Sequence, residues 1–186
     1  MALLTDAVAH LDAWTIGPMQ VKNGQMSIAS IKVNGETPAI QLLPKERMGE
    51  ITTPFEPSIY RGTGQEPRKN ILFAIPEETR ALLEQIETWA QTQADLKGVW
   101  HPATKPATNY TPTLKAKINE TGPNACPCVD IDGKPTPMPT DWRRLAVLPI
   151  IEVRGVYSQK TGAGLVLEVV ALMIGEPPTK ATPGFV

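Results

Sequence analysis

Lys115 and Lys117 stand two residues apart in the run 111–118, alternating with Leu114, Ala116 and Ile118. On an extended chain successive side chains point to opposite faces, so both lysines share one face and the apolar residues take the other. A strand with one greasy and one cationic side suits a surface that meets phosphates. Trp100, Tyr110, Trp142 and Tyr157 interleave with Lys105, Arg143, Arg144, Arg154 and Lys160 in the same half of the chain. Sequence-tolerant binding of a single nucleic-acid strand needs cations along the backbone and aromatic faces on which bases stack. These residues form the candidate nucleic-acid-binding set. The plainer reading of the same pattern is a solvated strand face with packed tryptophans.

Charge is distributed in keeping with that set. The whole chain has a formal net charge of −1. Residues 1–96 carry 8 Lys and Arg against 12 Asp and Glu, whereas residues 97–160 carry 9 against 5. The second segment therefore offers a local basic field that whole-chain bookkeeping hides.

Other chemistries find less support. There is no Gly-x-x-x-x-Gly-Lys-Ser/Thr phosphate loop and no Gly-x-Ser-x-Gly elbow, so no catalytic residues are assigned. His10 lies in an apolar stretch and His101 precedes a proline, with no spacing that pairs either with a cysteine. Cys126 and Cys128 plus His101 would supply three metal ligands where structural zinc usually takes four, so no metal or cofactor is expected. The two thiols are read as reduced. Asp130 and Asp132 begin like a calcium loop, but its fifth position falls on Lys134, so an Asp132-Gly133 turn is the better reading. A metal-dependent nuclease or transferase using Asp130, Asp132 and Asp141 is the remote enzymatic alternative. No run approaches the roughly 20 apolar residues that cross a bilayer. The first residues lack a signal-peptide pattern, with Asp6 placed early, so an intracellular setting is expected.

The elements that must position the candidates are mostly strands. With 19 prolines and 14 glycines spread along 186 residues, many short strands and turns are expected in a single domain over residues 1–186. Met26–Val33, residues 38–43 and residues 70–75 are strand candidates. Met26 and Ile28, together with Ile31 or Val33, are expected to face a core with an irregularity at Ala29-Ser30, and Asn34-Gly35 to form a hairpin between the first two strands. Residues 77–96 place Leu82, Leu83, Ile86, Trp89 and Ala90 on one helical face, with Gly98 as the stop. Residues 98–109 read as a connecting arm. Beyond them, 111–118, 126–132, 145–156 and 165–174 read as strands, the last two joined by a wide bend across 159–164. Four strands in so short a span, preceded by a helix, suggest a small barrel or sandwich.

The segment Asn109-Tyr-Thr-Pro-Thr-Leu-Lys-Ala-Lys-Ile118 resembles the Tyr-x-Pro-x-Leu-Lys-x-Lys-Ile signature of single-stranded DNA-binding proteins from bacteriophages and large DNA viruses. The order that follows is also similar: a polar hairpin, a long apolar strand, then a bend into a hydrophobic strand. The resemblance spans roughly residues 70–175. It implies a mainly β chain: an OB-fold barrel with one amphipathic helix and extra N-terminal strands. It further implies a non-enzymatic protein that coats single-stranded DNA in replication, recombination or repair. Tyr110, Lys115 and Lys117 would touch DNA, with replication or recombination proteins as further partners, in the cytoplasm of an infected host cell. The competing class is a virion or scaffold protein with a β-sandwich that binds only protein.

Overall fold

The computed structural model describes residues 1–59, 68–96, 98–107 and 110–175. The N-terminal part runs through β1 (Ala2–Leu3), α1 (Leu4–Ala9), β2 (Trp14–Ile16), β3 (Gln20–Asn23), β4 (Met26–Val33) and β5 (Ala39–Gln41). It continues through β6 (Thr52–Thr53), β7 (Ser58–Ile59), β8 (Lys69–Ala74) and α2 (Glu77–Gln93). The rest is β9 (Thr104–Lys105), β10 (Thr113–Ile118), β11 (Cys128–Val129), β12 (Pro135–Thr136), β13 (Leu145–Gln159) and β14 (Gly162–Ile174). The architecture is mainly β with one main helix. No helix among the described residues is long and apolar enough to cross a membrane.

Five strands close on themselves in the order β13, β6, β8, β10, β14 and back to β13. Four of these junctions are antiparallel, and the one between β10 and β14 is parallel, with Lys117 opposite Glu168. A closed ring of this size with a single parallel junction is the arrangement of an OB-like barrel. Alternation fills it: Ile71, Phe73, Leu114, Ile118, Val153 and Val156 point inward with essentially no exposure. Burial of such side chains, each contributing about 1.5–3 kcal/mol, is what holds the ring shut.

The helix α2 covers one side. Glu77 and Glu78 occupy its first turn, where the positive end of the helix dipole favours them. Leu83, Ile86 and Ala90 are buried against the strands. Trp89 meets Trp14 edge-on, with ring centroids 5.6 Å apart, and so ties the N-terminal strands to the helix. The helix stops at Gln93 and not at Gly98. Asp95 adopts a left-handed φ of 46° and turns the chain three residues early, a conformation that aspartate tolerates better than most residues.

Two sequence expectations about β4 are corrected. Ala29 and Ile31 are the residues buried inward, so Met26 and Ile28 lie on the outer face. The expected irregularity is absent from the pairing, because Met26 to Ser30 run in unbroken register with β13. Asn34 and Gly35 do make a tight turn, with positive φ at both and mutual hydrogen bonds between Val33 and Glu36. The hairpin goes no further. β4 and β5 lie one after the other along β13, which is long enough to pair with both. The bend between β13 and β14 is also tighter than expected, since Gln159 already pairs with Gly162.

β13 bends at register shifts near Ile150 and Gly155. A Cβ at Gly155 would overlap the Ala29 backbone carbonyl of β4, so the closest approach of these two strands requires glycine. Gly155→Ala is expected to lose about 2–4 kcal/mol of stability through that backbone clash. Urea unfolding of the variant against the parent, read by circular dichroism, checks it.

Candidate nucleic-acid interface

Directly paired residues in neighbouring strands share a face, and this rule assembles the outer surface from the register. Ile28 of β4 lies opposite Tyr157 of β13, which lies opposite Gly164 of β14. Lys117 of β10 lies opposite Glu168 on β14 and opposite Asn70 on β8. Five adjacent strands thus present one continuous outward face. A groove of about 190 Å³ opens on it, floored by Ile28, Tyr157 and Val166, and walled by Lys115, Lys117, Asn70 and the segment 101–103. Apolar floor and cationic wall lie side by side. Lys105 continues the wall, because it pairs with Thr113, which shares the face of Lys115.

The arm from Gly98 to Lys105 shapes the near edge of the groove. Its backbone is bound to β14 by hydrogen bonds from the His101 amide to the Ala163 carbonyl (2.7 Å) and from the Ala163 amide to the Val99 carbonyl (2.9 Å). Two glycines make room for it. A Cβ at Gly164 would stand 2.7 Å from the His101 carbonyl and 3.0 Å from a ring carbon of Tyr157. At Gly162, with φ at +144°, a Cβ would overlap the His101 ring and the Val99 carbonyl. The missing side chain at Gly164 leaves room for the Tyr157 ring beside β14. The His101 ring donates from Nε2 to the Thr161 carbonyl at 2.9 Å.

The far end of the arm is anchored to α2. The buried Glu87 carboxylate accepts hydrogen bonds from the Ala103 amide (2.6 Å) and the Thr104 hydroxyl (3.1 Å). Burial pushes the Glu87 carboxyl above the usual carboxylate range, and these hydrogen bonds oppose the rise only in part. Within the wall, burial holds the Lys117 ammonium below the ordinary lysine value. Arg68 and Lys115 push it the same way, while Glu168 opposes them. Cations crowd here.

The remaining candidates divide by place. Tyr110 is 84% exposed and sits just ahead of β10. Trp100 is half-buried beside the tip of the β13–β14 hairpin, next to the exposed Lys160. Trp142 is 2% exposed, so its ring is core and offers no face for stacking. Thr53 donates a hydrogen bond to its carbonyl, which fixes that corner of the barrel. Arg143 is held by Asp141 at 3.2 Å, and Arg144 turns the chain in left-handed backbone. Both lie at the opposite end of the fifteen-residue β13 from Tyr157 and outside the groove. Arg154 is held between Glu152 (3.0 Å) and Glu168 (2.8 Å); it is not free to meet a phosphate without leaving a carboxylate.

Sequence reasoning assigns no binding role to several groove residues: Asn70, Gly164, and Met26 and Ile28, which it reads as core; it considers His101 only as a ligand or base. A glycine placed opposite an aromatic is recognisable only after the hairpin register is known. Elsewhere, Asp130 accepts from the amides of Asp132 and Lys134, both at 2.9 Å, and forms the polar turn. Cys126 and Cys128 are free and buried. Among the described residues no three His, Cys, Asp or Glu side chains cluster as a metal site would require.

Glu87 generates a pH prediction. Its folded-state pKa is raised, so the stability it contributes is full below the unfolded value and is lost as pH rises through the folded one. Glu87→Gln keeps an acceptor for the Ala103 amide and cannot ionise. The parent is expected to lose stability relative to this variant as pH is raised from acid through the carboxylate range. Urea midpoints of both proteins across that range check the sign.

No family model matches the chain, and no curated protein sequence does. Among solved structures, the chain is similar to the crystal structure of gp2.5, a single-stranded DNA binding protein encoded by bacteriophage T7. The match covers 73% of this chain and 94% of that one, at 15% sequence identity and a TM-score of 0.43. A likeness at that level stands as an observation, and the reading of the groove rests on the groove's own residues.

Proposed function

We propose that the outward face of β4, β13, β14, β10 and β8 binds single-stranded DNA with little sequence preference. The observation that carries this reading is the juxtaposition within one groove of Tyr157, beside Gly164, and the cationic wall of Lys115 and Lys117. Bases offer their flat faces only when unpaired. An apolar floor beside cations therefore favours a single strand, with bases on Tyr157 and Ile28 and phosphates along Lys105, Lys115 and Lys117. Few side chains in the groove could read base edges, Asn70 and Gln159 among them, which fits binding that tolerates sequence. Coating of strands exposed in replication, recombination or repair is the process this chemistry serves. Tyr110 and Lys160 extend the contact surface at the ends of β10 and of the hairpin.

Anisotropy of a labelled oligo-dT of about 30 nucleotides suits this protein better than tryptophan emission, because Trp14 and Trp142 are buried and none of the four tryptophans lines the groove. The expected result is saturable binding that weakens between about 50 and 200 mM salt and is much poorer on duplex. Tyr157→Ala should cost about 1–3 kcal/mol of affinity, the worth of one stacked base. Lys115→Ala with Lys117→Ala should flatten the salt dependence by about 0.7 for each lost phosphate contact. Arg143→Ala should leave both unchanged. A folded protein that binds no single strand at low salt would return the reading to a protein-binding scaffold.

A further inference from the structure

Three sulfur atoms outside the groove meet beside β14. Cys126 and Cys128 flank one proline on an extended chain, so their side chains share a face. Their thiols lie side by side, near enough for one to hydrogen-bond the other. The Cys128 sulfur also stands 3.7 Å from the thioether sulfur of Met138, which follows β12, where Thr136 pairs with Cys128. Backbone hydrogen bonds fix the frame. The Cys126 amide donates to the Asn119 carbonyl at 2.8 Å, and the Leu172 amide to the Pro127 carbonyl at 3.0 Å. Both thiols are buried, and Met138 packs against the same core. A concavity of about 470 Å³ is lined by Cys126, so a small ion has a way in.

The donor set selects among ions. Thiolates and thioethers are soft, which disfavours magnesium and calcium and leaves copper(I) and zinc. Structural zinc takes four ligands, and among the described residues no His, Asp or Glu joins the two cysteines in a cluster. Copper(I), a soft ion with a filled d shell, is content with three sulfurs. An ion about 2.3 Å from each of three sulfurs in a plane sets them about 4 Å apart. Cys128 and Met138 already stand close to that spacing. We infer that Cys126, Cys128 and Met138 form a three-sulfur site for copper(I). Binding involves no redox step: the ion arrives as copper(I), each thiol loses its proton to solvent, and two copper–sulfur bonds form. The Met138 sulfur carries no proton and donates a lone pair as the third bond. The ion thereby clips the segment after β12 to β11. None of the three residues lines the groove, so the site stands independently of the proposed DNA contact.

The test uses the full, reduced chain without oxygen, with copper(I) presented from a coloured chelator, bathocuproine disulfonate. The parent is expected to withdraw one copper ion per chain, with a thiolate-to-copper band in the ultraviolet and three sulfur neighbours by X-ray absorption. Met138→Leu nearly conserves core volume. It is expected to weaken retention about tenfold or more, because loss of even an outer partner costs that much, and to leave two sulfur neighbours. Cys128→Ser should abolish retention, and melts of the metal-free variants establish that each is folded. Copper(I) should raise the melting temperature of the parent and not that of Cys128→Ser. Should the parent yield all its copper to the chelator, or Met138→Leu hold copper as tightly as the parent, the three-sulfur site is overturned. Tighter binding of zinc than of copper(I) by the reduced parent would overturn it equally.

Discussion

Strands that alternate in direction can close a ring only when their number is even, and the ring here has five members. One junction must therefore be parallel, and it falls between β10 and β14. Much of the candidate interface follows from that single constraint. The parallel junction brings β10, with its alternating lysines, against the outer face of a hairpin whose first strand carries Tyr157. Without it, the apolar floor and the cationic wall would belong to different surfaces. Parallel neighbours also need a long connection, and the chain between β10 and β14 supplies one that contains β11, β12 and β13.

Placing two strands together does not make a binding groove; its edges must be held. Two glycines on β14 and one buried carboxylate on α2 do this from opposite ends of the same arm. The glycines cost backbone entropy in a strand and weaken it locally. The long pairing of β13 with β14 offsets that cost. Glu87 presents a comparable compromise. A buried ionisable group is disfavoured unless hydrogen-bonded, and here its partners are the backbone and hydroxyl of the arm it positions. Stability and site geometry share the same contacts.

The β character, α2 and the inward face of β10 were legible in the sequence because they rest on local periodicity. Leu114, Ala116 and Ile118 alternate without exception, and all three are buried. What escaped the sequence depends on pairing between distant strands. Met26 and Ile28 look like core residues until β13 is known to run alongside them, with Ala29 packed on Gly155. Arg154 looks like a free cation until Glu152 and Glu168 come from two strands to hold it. Trp142 beside two arginines has the composition of a stacking site, yet its ring fills a barrel corner. Composition names what could bind, whereas register decides what faces outward.

The most direct test of the central claim is a map of backbone amide shifts in the isotopically labelled protein as a short oligo-dT is added. The account predicts perturbations concentrated on Ile28, Lys115, Lys117, Tyr157 and Gly164, with the corner at Trp142, Arg143 and Arg144 silent. Perturbations centred on that corner, or on the N-terminal strands away from the groove, would contradict it.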